Sequence, residues 1–150
     1  MQMSIELVTL SNLNIVTPLF DAYRVFYNQE SNIPACHKFL KVLIEGRKNH
    51  MWMVINAQQH PMGFVNLYPS YTSVGMAPVF ILNDLYVDPK NRKSGVGTIL
   101  VEHAVKWAKS RGAIRLHLET GNENTSAQKL YEGMGWKKEK DTLFYYLPLT

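Results

Sequence analysis

Residues 82–98 read Leu-Asn-Asp-Leu-Tyr-Val-Asp-Pro-Lys-Asn-Arg-Lys-Ser-Gly-Val-Gly-Thr, and they hold the chain's most concentrated chemistry. An apolar strand pattern runs into a turn carrying two glycines, and a long helical pattern leaves it. Glycine lets the backbone adopt positive φ and approach a ligand closely. The amides of Ser94, Gly95, Val96 and Gly97 would then face outward at a helix start, where unpaired N–H groups and the dipole favour a phosphate. Arg92 and Lys93 add full charges at the rim. Both the Walker loop and the dinucleotide Gly-x-Gly-x-x-Gly are excluded by spacing. A plain tight turn is the competing reading, and the basic residues before the glycines favour the anion site.

Other reactive residue types are scattered. His37, His50, His60, His103 and His117 form no i, i+4 pair and have no cysteine partner, so no metal site is expected. Cys36 and His37 are neighbours on an expected helix and point different ways, which argues against a thiol–imidazole nucleophile. Cys36 is expected in the core.

These residues need a scaffold, and the apolar periodicity supplies one. Ile5, Leu7 and Leu10 suggest a first strand. Val16, Leu19, Phe20, Tyr23 and Tyr27 mark one helix face. Pro18 either starts that helix behind a Thr17 cap or kinks one begun near Asn12. A second helix follows Pro34, with Cys36, Phe39, Leu40 and Leu43 on one side. Strands are expected at 50–56, 62–68 and 79–87, then a helix from Gly97 to Gly112, and a strand at 114–119. A short helix through Ala127, Leu130, Tyr131 and Met134 ends at Gly135. Trp136 and residues 143–147 are expected to close the chain as a strand hairpin. The order implies an α/β (α+β) domain with helices on both faces of a mixed sheet.

At 150 residues the chain fits one domain, 1–150, and can bury a core without a staple. An apolar content of 46% with 19% charged residues excludes disorder. Uncharged apolar runs such as 51–57 fall far short of the ~20 residues that span a bilayer. The start lacks a basic segment followed by an apolar run, so no secretory signal is expected. One cysteine then points to the reducing cytoplasm. The net charge of +4 is split between Lys90, Arg92 and Lys93 and a broken cluster at Lys137, Lys138 and Lys140. That pattern favours a small anionic ligand over nucleic acid or a membrane.

Arg92-x-x-Gly95-x-Gly97, after a Leu-Tyr-Val strand and Pro89, resembles the acetyl-CoA signature of the GNAT superfamily of N-acetyltransferases. The similarity continues through Gly112-Ala113, Asn122-Glu123-Asn124 and Ala127-x-x-Leu130-Tyr131-Glu132-x-Met134-Gly135-Trp136, about half the chain in all. Ordering and spacing look most like the diamine (spermidine/spermine) and histone or polyamine acetyltransferases; Asp21-Ala22-Tyr23-Arg24 and Phe26-Tyr27-Asn28-Gln29 resemble that branch too. The resemblance implies a GNAT-like fold, with about seven strands and about four helices. It also implies acetyl-CoA as cofactor, a primary amine as acceptor and direct attack in a ternary complex.

It further implies roles. Backbone of Leu85, Tyr86 and Val87 would pair with the pantetheine amides, and Arg92, Lys93, Ser94, Gly95, Val96, Gly97 and Thr98 would take the pyrophosphate. Asn124 would lie near the pantetheine arm, and Tyr131 would reach the sulfur as general acid, against a reading of Tyr131 as core packing. A phenol of pKa ~10 can protonate a departing thiolate of pKa ~8.5. An amine of pKa ~10.4 is neutral only about once in 2,500 molecules at pH 7, a handicap of roughly 4.6 kcal/mol, so a base is expected. The diamine enzymes carry Glu-Asp where this chain has Asn83-Asp84. Asp84 is a base, a seat for a second ammonium, or a cap for loop amides. Strand alternation predicts that only one of Asn83 and Asp84 faces the pocket. Tyr23, Tyr27 and Tyr68, with Phe26 and Tyr71, either pack the core or hold an ammonium by cation–π contact. A protein-tail or N-terminal acceptor, and a non-catalytic acyl-CoA-binding module, are the competing functions. The resemblance implies a homodimer paired through 143–147.

Overall fold

Residues 50–56 are apolar at nearly every position, the pattern of a strand buried on both faces. They form β2 (His50–Asn56) of a five-stranded sheet whose order is β1-β2-β3-β4-β5. Its neighbours are β1 (Met3–Leu7), β3 (Pro61–Thr72), β4 (Ala77–Val87) and β5 (Leu116–His117). The first four are antiparallel and β5 is parallel to β4, so the sheet is mixed. The computed structural model describes residues 2–150, which divide into a first unit ending at Leu118 and a second, Glu119–Thr150.

In the first unit, helices cover both faces. Met51, Met53 and Ile55 join Leu13, Val16, Leu19 and Phe20 of α1 (Leu13–Phe26) and Cys36 and Leu40 of α2 (Ile33–Glu45) in one core. Trp52, on the opposite face, meets His103 and Trp107 of α3 (Val96–Ser110). Asn12 precedes α1, so Pro18 lies inside the helix. The Thr17 hydroxyl there donates to the Leu13 carbonyl at 2.8 Å. At α2 the Asn32 side chain accepts from the Ala35 amide at 3.1 Å, and Pro34 sits in the first turn.

In the second unit, α4 (Thr125–Gly133) is capped by Asn124 and followed by Gly135 at φ +93°.

The expectation of about seven strands needs correction: five form among the described residues. The expected strand at 114–119 shrinks to Leu116–His117, and neither Trp136 nor 143–147 is in a strand. Local composition at 143–147 suits a strand, but a strand exists only where a neighbour completes its ladder.

Gly63 fixes how closely α3 approaches β3. A Cβ there would stand 2.9 Å from the Tyr86 carbonyl oxygen and 2.9 Å from Val96 Cγ1. Gly63→Ala should therefore destabilise the protein by about 1–3 kcal/mol. A lowered urea midpoint at unchanged slope is the expected readout, and a wild-type midpoint would show that the contact relaxes freely.

Candidate active site

Asn66 of β3 faces Asp84 of β4, and the next residue, Leu67, faces Leu82. Asn83 is thus an extra residue on β4, a bulge that breaks the period of two. Phe80, before it, meets Trp107 on the α3 face, whereas Asp84 and Tyr86, after it, meet Tyr23 on the α1 face. The bulge corrects the expected alternation. Asn83 and Asp84 converge, because the Asn83 amide donates to Asp84 Oδ1 at 3.1 Å.

Asp84 is buried and its carboxylate is held by side chains. The Tyr23 hydroxyl donates to Oδ1 at 2.7 Å, and Asn66 Nδ2 donates to Oδ2 at 2.9 Å. Asn49 Nδ2 donates in turn to Asn66 Oδ1 at 2.9 Å. The loop-capping role belongs to a different aspartate: Asp88 accepts from the Lys90 amide at 3.0 Å, ahead of the 3₁₀ turn Pro89–Asn91.

Aromatic rings pack around Tyr23. Tyr23 lies 5.4 Å from Phe64, 5.6 Å from Tyr86 and 5.1 Å from Tyr27, ring centre to ring centre. Burial, and then the Asp84 charge, push the Tyr23 phenol well above its ordinary ionisation range. The same two causes raise Tyr68. Tyr27 is exposed beside Tyr23 and Phe26.

The glycine loop follows β4 directly. Lys93 and Gly95 both take positive φ, +63° and +87°, and α3 begins at Val96, one residue earlier than the sequence suggests. Its first helical bond runs from the Ile99 amide to the Gly95 carbonyl, which leaves the Val96, Gly97 and Thr98 amides without partners inside the helix. The Ser94 hydroxyl donates to the Asn91 carbonyl. Arg92 folds back: its Nε donates to the Val87 carbonyl at 3.2 Å, and its guanidinium lies 5.7 Å from the Tyr86 ring centre and 5.9 Å from that of Phe26. Lys93 and Ser94 are exposed. β4 pairs with β5 only at Phe80 and Ile81, so its edge along Leu85, Tyr86 and Val87 has no strand partner among the described residues. Exposed helix-start amides, a left-handed glycine, cationic side chains and an open strand edge fit a phosphate-bearing ligand with an amide-rich arm.

In the second unit, Asn124 Oδ1 accepts from the Ala127 amide at 3.3 Å, so that side chain caps α4. Tyr131 is buried, with its ring 5.5 Å from that of Trp136.

Sequence reasoning missed Asn49 and Asn66. The signal for Asn66 was present: an amide inside the apolar run Met62-Gly-Phe-Val-Asn-Leu requires a buried partner.

Comparisons with known proteins agree with this geometry. The sequence model of the acetyltransferase (GNAT) family matches residues 16–136. An uncharacterized N-acetyltransferase of Bacillus subtilis, YhfO, is 36% identical over 147 residues, covering 97% of this chain and 97% of the relative. A crystal structure of a probable acetyltransferase superposes with a TM-score of 0.93 at 32% identity, covering 98% of each chain. The aminoglycoside N-acetyltransferase AAC(6')-Iy, solved with CoA, shares the fold, with a TM-score of 0.82 at 19% identity over 97% of this chain and 95% of its own.

The raised Tyr23 phenol has a consequence for stability. The folded state holds that proton more tightly, so its contribution is fully present below the unfolded value of about 10 and is lost as pH rises above it. The stability difference between wild type and Tyr23→Phe should be flat from pH ~7 to ~9 and fall beyond about pH 10. Urea midpoints for both proteins across that range test this, and a difference still flat at about pH 11 would rule it out.

Proposed function

Because the chain belongs to the acetyltransferase (GNAT) family and is an acetyl-CoA-dependent N-acetyltransferase, we propose that it acetylates a small primary amine, polyamines included. The observation that carries the acceptor class is the buried Asp84 carboxylate bonded to Tyr23, whose ring packs against Tyr27 and Tyr86, with Tyr68 close enough to feel the Asp84 charge. A negative charge behind aromatic faces suits an amine that enters as a cation and must become neutral to react.

Acetyl-CoA, when bound, supplies the electrophilic acetyl carbon and the thiol that leaves. The backbone amides from Ser94 to Thr98 would hold its pyrophosphate, with Arg92 and Lys93 adding charge; support comes from the left-handed turn at Gly95. The unpaired edge of Leu85, Tyr86 and Val87 would pair with pantetheine amides, and Asn124 would approach the same arm. Tyr131 would give a proton to the sulfur, supported by its burial and its place in the Ala127-x-x-Leu130-Tyr131 motif. Asp84, held by Asn83, supplies the negative charge on the acceptor side of the reaction. The family match across both units supports one working domain, 1–150. No helix among the described residues is long and apolar enough to cross a membrane. The cytoplasm is the compartment we infer, on the strength of a single buried free thiol.

We also propose that two copies pair through 143–147. Leu143, Phe144, Tyr145, Tyr146 and Leu147 are at least 70% exposed, a β-prone apolar run that a second copy's strand would cover. Sedimentation should show a dimer for wild type and a monomer for Phe144→Asp/Tyr146→Asp. A monomeric wild type would remove the pairing.

Thiol release from acetyl-CoA over a panel of mono- and diamines tests the acceptor class, and silence with every small amine would overturn it. In the same assay Tyr131→Phe should lower kcat by about 10²–10⁴-fold while acetyl-CoA affinity stays near wild type. Wild-type kcat in that variant would remove Tyr131 as the acid.

A further inference from the structure

The Tyr23 hydroxyl has one proton, and that proton is committed. Its partner at 2.7 Å is a carboxylate oxygen, which only accepts, so the phenol must donate to Asp84. The Tyr23 oxygen is left with lone pairs alone, and it can only accept from any further group.

Asp84 is closed in the complementary sense. Oδ1 takes Tyr23 and Asn83, Oδ2 takes Asn66, and the residue is 7% exposed. Tyr23 is less buried than Asp84 and is steadied by Phe64, Tyr86 and Tyr27 at three angles, 88°, 61° and 68°. Of the pair, Tyr23 is the more accessible member.

We propose that Tyr23 Oη, and not Asp84, receives an N–H of the acceptor amine, and that Asp84 is a positioning residue acting through Tyr23. This rests on the acetyltransferase reading above. As the amine's lone pair forms the N–C bond, its nitrogen gains positive charge and its N–H becomes a stronger donor. The contact with Tyr23 Oη therefore tightens toward the transition state, where it accelerates the reaction. The Asp84 charge behind the phenol polarises it in the same direction. The nitrogen then releases one proton to water as the C–S bond breaks toward sulfur, and the thiolate takes one proton. Amine and thioester become amide and thiol with no redox change. Tyr23 keeps its own proton throughout, in line with its raised ionisation range.

Asn66 and Asn49 complete the arrangement. The Asn49 amide fixes Asn66 Oδ1, which turns Asn66 Nδ2 toward Asp84 Oδ2 and pins the far side of the carboxylate.

The test uses Tyr23→Phe, Asp84→Asn and the double variant, with benzylamine, putrescine and spermidine as acceptors and the fastest taken forward. Tyr23→Phe should lower kcat/KM by about 10²-fold, by the same factor at pH ~7 and ~9, because a hydrogen bond is lost and not a base. Asp84→Asn should cost a similar factor, and the double variant should be no worse than the poorer single one. Acetyl-CoA affinity by isothermal titration should be near wild type in all three. Ultraviolet titration supplies a readout without turnover: Asp84→Asn should bring one tyrosine ionisation down, and the double variant should lack it. In the unmutated enzyme, a saturating amine should perturb the tyrosine absorption band, which covers the case of a variant that fails to fold. Additive losses, a loss that shrinks as pH rises, an unchanged Tyr23→Phe or an unperturbed band would each overturn the assignment. A wild type that acetylates none of the amines overturns the acceptor reading and this proposal together. Full turnover that survives in Tyr23→Phe overturns this proposal alone.

Discussion

A carboxylate buried against a sheet is costly unless its oxygens are fully supplied with donors, and Asp84 sets that condition for the first unit. Hydrogen bonds to a charged group contribute about 1.5–3 kcal/mol each, and losing a buried partner costs comparably. The donors come from three separate elements: Tyr23 from α1, Asn66 from β3 and Asn83 from β4 itself. Satisfying one side chain thereby fixes where α1 lies on the sheet and how β3 registers against β4. Asn49 extends the same constraint to the segment just before β2.

The bulge at Asn83 is the backbone feature that permits this. Without the extra residue, Phe80, Leu82, Asp84 and Tyr86 would share one face, and Asp84 would point at α3 among apolar side chains. With it, Phe80 stays against Trp107 while Asp84 and Tyr86 turn to the α1 face. Past Ile81, β4 also loses β5 as a partner. One strand therefore changes character along its length, from a half paired on both edges to a half with a free edge and a polar centre. The glycine loop leaves from the end of that half, so the outward-facing amides at the start of α3 and the Asp84 carboxylate share one supporting strand.

Arg92 links the two regions. Its guanidinium lies over Tyr86 and Phe26, and its Nε holds the Val87 carbonyl. The residue that the sequence suggests as a phosphate contact thus also covers the aromatic set near Tyr23. Gly63 completes the frame from the opposite face, since the absence of a side chain there lets Val96 and Leu100 sit against β3 and sets the start of α3.

Wherever a local rule governs, the sequence was sufficient. The both-faces-buried pattern of β2, the amphipathic stripes of α1 and α3, and the glycine loop at a helix start all follow from periodicity and backbone sterics. The ordered motifs from Arg92 to Trp136 carried the family, because ligand-binding turns constrain residue type position by position. Other features needed the tertiary structure. Period-two alternation assigned Asn83 and Asp84 to opposite faces, and only pairing with β3 reveals the extra residue that brings them together. The Tyr23–Asp84 bond spans 61 positions, which no local pattern encodes. Residues 143–147 have the composition of a strand and form none, since a strand is a property of two segments and a sequence describes one at a time.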